Sequence, residues 1–174
     1  QSPHEANIRA LKKHIIRAKE IAGGKGLIGV NIMTAVSGYE EAVKASIEAG
    51  ADAIISGAGL PLKLGEYVGK AEILFAPIVS SAKAAKLLCR SYKRHGGRLP
   101  DFVVIEGCKA GGHLGFSVEE LEGHTAESNE QLVAEVCAEL KPYEEELGRE
   151  IPVFAAGGVF TAEDCSRMLK AGAK

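Results

Sequence analysis

No apolar run in this 174-residue chain is long enough to span a bilayer, so no membrane-crossing helix is expected. Nor is there an excess of positive charge. Lys and Arg total 21 against 23 Asp and Glu, a formal net charge of −2, so no basic field draws the chain to nucleic acid or to an anionic membrane surface. Four cysteines, at 89, 108, 137 and 165, make no Cys-x-x-Cys pair and no Cys/His cluster at zinc spacing, so no metal site is expected. They read as reduced thiols of a cytoplasmic protein. The first residues, Gln1-Ser2-Pro3-His4-Glu5, lack the apolar core of a signal peptide. No Gly-x-Gly-x-x-Gly follows the first candidate strand, where a dinucleotide-binding sheet would carry it.

What is present is a βα repeat. Apolar residues make up 46% of the chain, enough for one domain with a real core. Continuous apolar runs at 27–32, 53–56, 73–79, 102–105 and 152–156 read as strands buried on both faces of a parallel sheet. Helical periodicity fills most of the intervals, over 5–22, 40–49, 81–95, 129–147 and 161–170. The last of these aligns Cys165, Met168 and Leu169. Ser37 with Glu40, Ser128 with Gln131 and Thr161 with Asp164 suggest capping boxes at helix starts. Gly50, Gly96-Gly97 and Gly172 mark helix ends. Alternating βα units imply parallel strands and right-handed crossovers, so the choice lies between an open doubly wound sheet and a (β/α)8 barrel.

Glycines follow several successive strand ends, which favours the barrel, because a barrel builds its site from many such ends. Eight units need about 250 residues. The five here are read as one incomplete barrel domain over 1–174, an internal piece of a longer protein. A five-strand arc would leave two bare edges and an exposed core, so it is expected to fold poorly alone or to pair its edges with another chain, as in a homo-oligomer.

The most informative stretch is Glu106-Gly107-Cys108-Lys109-Ala110-Gly111-Gly112-His113-Leu114-Gly115, directly after a strand. Glycines let the backbone approach a ligand closely. Histidine moves protons near neutral pH. The second such element is Ile151-Pro152-Val153-Phe154-Ala155-Ala156-Gly157-Gly158, a strand ending in paired glycines ahead of a helix, suited to phosphate. Cys108 reads as lining a pocket rather than as a nucleophile. His4, His14, His95 and His124 read as solvated.

Taken in order, Gly29-Val30-Asn31-Ile32, Ile55-Ser56-Gly57-Ala58-Gly59, Ala76-Pro77-Ile78-Val79-Ser80, the Gly-Gly-His loop and the Ala-Gly-Gly turn resemble strands three to seven of the nitronate monooxygenase family. That family was once called 2-nitropropane dioxygenases and is related to the FMN-dependent enoyl-acyl-carrier-protein reductases of the second type. The resemblance implies a TIM barrel that binds FMN. By it, His113 is the active-site histidine. Gly112 lies beside the flavin, Asn31 lies near the isoalloxazine, and Gly157 and Gly158 hold the FMN phosphate. Two positions depart from the family pattern: Lys109 stands where an acidic residue is usual, and Glu106 where glutamine is frequent. Ile78 takes the place of a lysine found in some members.

The first expected function is an FMN-dependent oxidoreductase that oxidises alkyl nitronates or nitroalkanes with O2. The second is an NAD(P)H-dependent enoyl-thioester or quinone reductase of the same fold. The third is a flavin- or phosphate-binding barrel piece without catalysis. The partner expected in all three is a small molecule.

Overall fold

The computed structural model describes residues 2–113, 115–123 and 126–174. Helix α1 (Pro3–Ala22) leads into β1 (Gly29–Met33) and α2 (Tyr39–Glu48). Then come β2 (Ala53–Gly57), α3 (Leu64–Val68), β3 (Leu74–Val79) and α4 (Ala82–Arg94). The chain continues through β4 (Val103–Glu106), α5 (Val118–Glu122), α6 (Asn129–Leu147), β5 (Val153–Ala156) and α7 (Ala162–Ala171). All five expected strands form. The short helices α3 and α5 were not expected from periodicity.

Each strand pairs in parallel with the next, in the order β1-β2-β3-β4-β5. A doubly wound sheet reverses its order at a switch point. This sheet never reverses, so it is an arc of a (β/α)8 barrel, with β1 and β5 at its edges. Side chains alternate between the two faces of such a sheet. Ile32, Ile54, Phe75, Val79, Val103, Ile105 and Val153 point to the helices and join one core with Val43, Leu88, Tyr92, Leu132, Val136 and Leu140. Burying each of these large side chains is worth about 1.5–3 kcal/mol before entropy is counted. Tyr92 is fully enclosed, donates a 3.0 Å hydrogen bond to the Pro61 carbonyl and meets Phe75 edge-on at 5.6 Å. Burial, with Glu139 nearby, pushes the Cys89 thiol up to about 12, which leaves it inert.

The opposite face is apolar and open. Met33, Leu74 and Phe154 are 41%, 38% and 43% exposed, and Phe102 stacks edge-on against Phe154 at 5.4 Å. This is the exposed inner surface that a five-strand arc must have.

Three local expectations need correction. Ser37 and Glu40 form no capping box. Helix α2 begins at Tyr39, and Gly38, at φ 78, is its N-cap without a side-chain hydrogen bond. Only glycine fits there, because the backbone is left-handed and a Cβ would stand 2.5 Å from His4 Cε1. Second, β1 starts at Gly29 rather than at 27, because pairing with β2 begins only where Gly29 meets Ala53. Third, Met168 is buried but Cys165 and Leu169 are exposed. Helix α7 packs chiefly on α6, which covers Met168 and leaves the other flank exposed. The boxes at Ser128 and Thr161 form as expected.

Candidate functional site

The ends of β2, β3 and β4 open into a cleft of about 330 Å³ whose lining includes Ala58, Gly59, Ile78, Ser80, Glu106 and His113. Sequence places these residues there directly. In a parallel sheet every C-terminal strand end lies on the same rim, and Ala58, Ser80 and Glu106 end or just follow their strands. Ala58 takes φ 51, a left-handed backbone that costs a non-glycine residue about 1–2 kcal/mol. Such strain concentrates where a site over-determines the chain.

The loop after β4 arches back over the cleft. Asn129, the first residue of α6, packs against its entry. The Asn129 side-chain amide donates to the carbonyl oxygens of Ala156, at 3.4 Å, and Gly157. Asn129 also fills the space above Gly107, where an added Cβ would sit 1.6 Å from its Oδ1. The loop turns through an Ala110 N–H to Gly107 carbonyl bond of 3.0 Å and takes φ 85 at Gly112. It lands on β3 through Gly115, where a Cβ would stand 2.3 Å from Ser80 Oγ. His113 is thereby carried over the cleft, exposed, with Glu106 on the same wall. Glu106 is half-buried and has no hydrogen bond or ion pair among the described residues. The site therefore presents an imidazole and an uncompensated carboxylate above an apolar wall.

Beside this loop stands the glycine turn. Gly157 and Gly158 take φ 83 and 77 in succession. A Cβ at Gly157 would meet Ala110 N and Cβ at 2.9 Å, and one at Gly158 would meet Lys109 Cβ at 2.7 Å. The two stretches singled out in the sequence are thus in contact. The amides of Gly158 and Val159 make no hydrogen bond among the described residues. At the start of α7 the Asp164 side chain takes three of the donors. Asp164 accepts from Phe160 N–H at 3.1 Å, Thr161 N–H at 2.8 Å and Thr161 Oγ1 at 2.8 Å. An anion seated at this turn would meet the Gly158 and Val159 amides beside the Asp164 carboxylate.

Those bonds, from the Thr161 hydroxyl first and then the Phe160 and Thr161 amides, hold the Asp164 carboxyl at about 2, below its ordinary 3.8. A carboxyl depressed in the folded state stabilises the fold fully above its unfolded value. That contribution is lost as pH falls through the folded one. Thermal melts are expected to show the wild type losing its advantage over Asp164→Asn between about pH 4 and pH 2. A gap between the two proteins that stays constant with pH would show that Asp164 acts by shape and not by charge.

Of the five residues assigned by resemblance, His113 enters the cleft. Gly112 lies within its loop, and Gly157 and Gly158 border that loop through Lys109 and Ala110. Asn31 is not brought into the cleft. It is the third of five residues in β1, exposed on the open face and in register with Ile55, two strands from the cleft's β3 wall. His4, His14 and His95 are exposed, as expected, and His124 lies outside the described residues. Asn129 and Ser80 were missed. Asn129 follows the N-cap Ser128, so its sequence position signalled only a helix start. Among the described residues no group of three or more acidic, Cys or His side chains is placed to hold a metal.

Comparison with known proteins agrees with this architecture. The chain is similar in structure to FabK from Thermotoga maritima, with a TM-score of 0.72 and 26% identity over 96% of this chain and 45% of that one. It is similar to nitroalkane oxidase from Streptomyces ansochromogenes, with a TM-score of 0.70 and 19% identity over 95% of this chain and 52% of that one. The deoxyribose phosphate aldolase from Aeropyrum pernix shares the fold at a TM-score of 0.59 and 16% identity, over 93% of this chain and 68% of that one. The chain spans about half the length of FabK and of the nitroalkane oxidase. No curated protein matches it. The family model for nitronate monooxygenase matches residues 1–174. With that match along the whole chain, and with the Gly-Gly-His loop and the Ala-Gly-Gly turn meeting at neighbouring strand ends, this chain belongs to the nitronate monooxygenase family.

Proposed function

We propose that this chain supplies the proton-handling and phosphate-holding side of an FMN-dependent oxidoreductase that acts on alkyl nitronates or nitroalkanes with O2. One observation carries the reading: His113 is held over a cleft by a loop that packs against two left-handed glycines, beside the Gly158 and Val159 amides that make no hydrogen bond among the described residues. The residues fit the cofactor. A side chain at Gly157 or Gly158 would collide with Ala110 or Lys109, and the Gly158 and Val159 N–H groups, which make no hydrogen bond among the described residues, can face a phosphate.

When bound, FMN would supply two-electron redox chemistry. The protein's part is acid–base and positional. Gly157 and Gly158 anchor the phosphate. Gly112 lets the loop run close to the ring, and Asn31 offers an amide on the open face of the sheet. An imidazole nitrogen of His113 accepts the α-proton of a nitroalkane, or orients a nitronate that has already lost it. Ile78 and Leu60 make the substrate side of the cleft apolar and limit water.

A second reading, an NAD(P)H-dependent enoyl-thioester or quinone reductase, draws support from the 26% identity to FabK over nearly the whole chain. Two measurements on the purified full chain decide between them. The visible absorption bands of oxidised flavin are expected, with O2 uptake on adding nitronate and no NAD(P)H. Steady NAD(P)H consumption without nitronate would favour the reductase. A colourless protein that FMN does not reconstitute would overturn both readings and leave the non-catalytic barrel.

A further inference from the structure

We infer that Lys109 binds the cofactor phosphate and does not select the substrate. This rests on the FMN reading above and adds a residue to it. The sequence and its family resemblance leave Lys109 with two roles: a positive charge beside the flavin site, favouring an anionic substrate or reduced flavin, or a side chain in solvent. The structure points to a third. A Cβ built on Gly158 would stand 2.7 Å from Lys109 Cβ, 2.9 Å from its Cδ and 3.4 Å from its Cγ. The aliphatic stem therefore lies along the second glycine of the turn, with the ammonium group two bonds beyond Cδ. Lys109 is not among the residues that line the cleft holding His113 and Glu106. It is exposed and has no ion-pair partner among the described residues.

The charges around the turn explain why a cation is needed there. A helix N-terminus ordinarily offers positive potential to an anion. Here Asp164 occupies the start of α7 with its own negative charge. Arg167 is committed to Asp164, Glu130 and Glu163. A phosphate at Gly158 and Val159 thus approaches a helix end that already carries the Asp164 carboxylate. The glycine amides give directional hydrogen bonds but no net charge. Lys109, seated over the same turn and unpaired, supplies that charge. A single lysine is a mobile point charge, suited to a phosphate whose position the amides already define.

The experiment is a flavin fluorescence titration with FMN and with riboflavin, which has the same ring but no phosphate. It uses the full chain stripped of flavin, as wild type, Lys109→Met and Lys109→Arg. Methionine keeps an apolar stem over Gly158 and removes the charge. Lys109→Met is expected to weaken FMN about 10- to 100-fold, the range for a hydrogen bond to a charged group, and to leave riboflavin unchanged. Lys109→Arg should stay near the wild type, and added salt should narrow the difference between wild type and Lys109→Met.

If Lys109→Met binds FMN as tightly as the wild type, the inference fails and the FMN reading stands. Equal losses of FMN and riboflavin would place Lys109 in the loop's packing and also overturn the inference. If the wild type binds neither flavin, the FMN reading fails and Lys109 loses its role with it.

Discussion

Replacing His113 with alanine should lower nitroalkane turnover by about 10²- to 10⁴-fold, the usual contribution of a positioned general base. The flavin spectrum should survive the change. His113 is exposed and makes no hydrogen bond among the described residues, so it holds nothing in place. Its loop is instead packed at both ends, under Asn129 at Gly107 and against Ser80 at Gly115. Removing an exposed side chain of this kind should shift stability by no more than about 0.5 kcal/mol. Turnover and melting temperature should therefore separate cleanly. A nitronate substrate sharpens the test, because it arrives without the α-proton and should lose less rate than its parent nitroalkane. Equal losses for both would assign His113 to orientation, and unchanged turnover with either would remove it from the chemistry.

Gly157→Ala should damage both the fold and the proposed cofactor site. At φ 83 the left-handed backbone costs a non-glycine residue about 1–2 kcal/mol. The new methyl would also stand 2.9 Å from the Ala110 amide nitrogen, which is backbone and cannot rotate away. Overpacking of this sort adds about 1–3 kcal/mol. The strain must be relieved by moving the turn, the histidine loop or both. A fall in melting temperature together with loss of FMN affinity is the expected result. Gly111→Ala is the matched control. It lies in the histidine loop that Gly157 touches, its φ is not positive, and an added Cβ meets nothing within 4 Å. It should behave as wild type in both measurements. FMN binding by Gly157→Ala at the wild-type level would remove the turn from the cofactor site.

Residues near one another in the chain carried most of the fold. Continuous apolar runs identified all five strands because a strand buried on both faces has no polar side to show. Glycine-rich strand ends on a βα repeat were enough to choose a barrel, and the unreversed strand order agrees. The limits were local too. Strand β1 starts two residues late, because a strand begins where its partner begins and not where its apolar run does. Helices α3 and α5 have five residues each, too few to display a period.

The sequence by itself thus determined the barrel arc and the two glycine segments that form the candidate site. Both follow from backbone conformation and burial, which short runs of residues control. Only the tertiary structure decided how those segments meet. Asn129 reaches the Gly157 carbonyl across 28 residues, Ser80 lies under Gly115, and Lys109 lies along Gly158. Glu106 shares a cleft with His113 while Asn31 remains on the edge strand. These are contacts between separate βα units, set by parallel register and by the arching of one loop. No periodicity or spacing within a unit records them, because the partner of each residue belongs to another part of the chain.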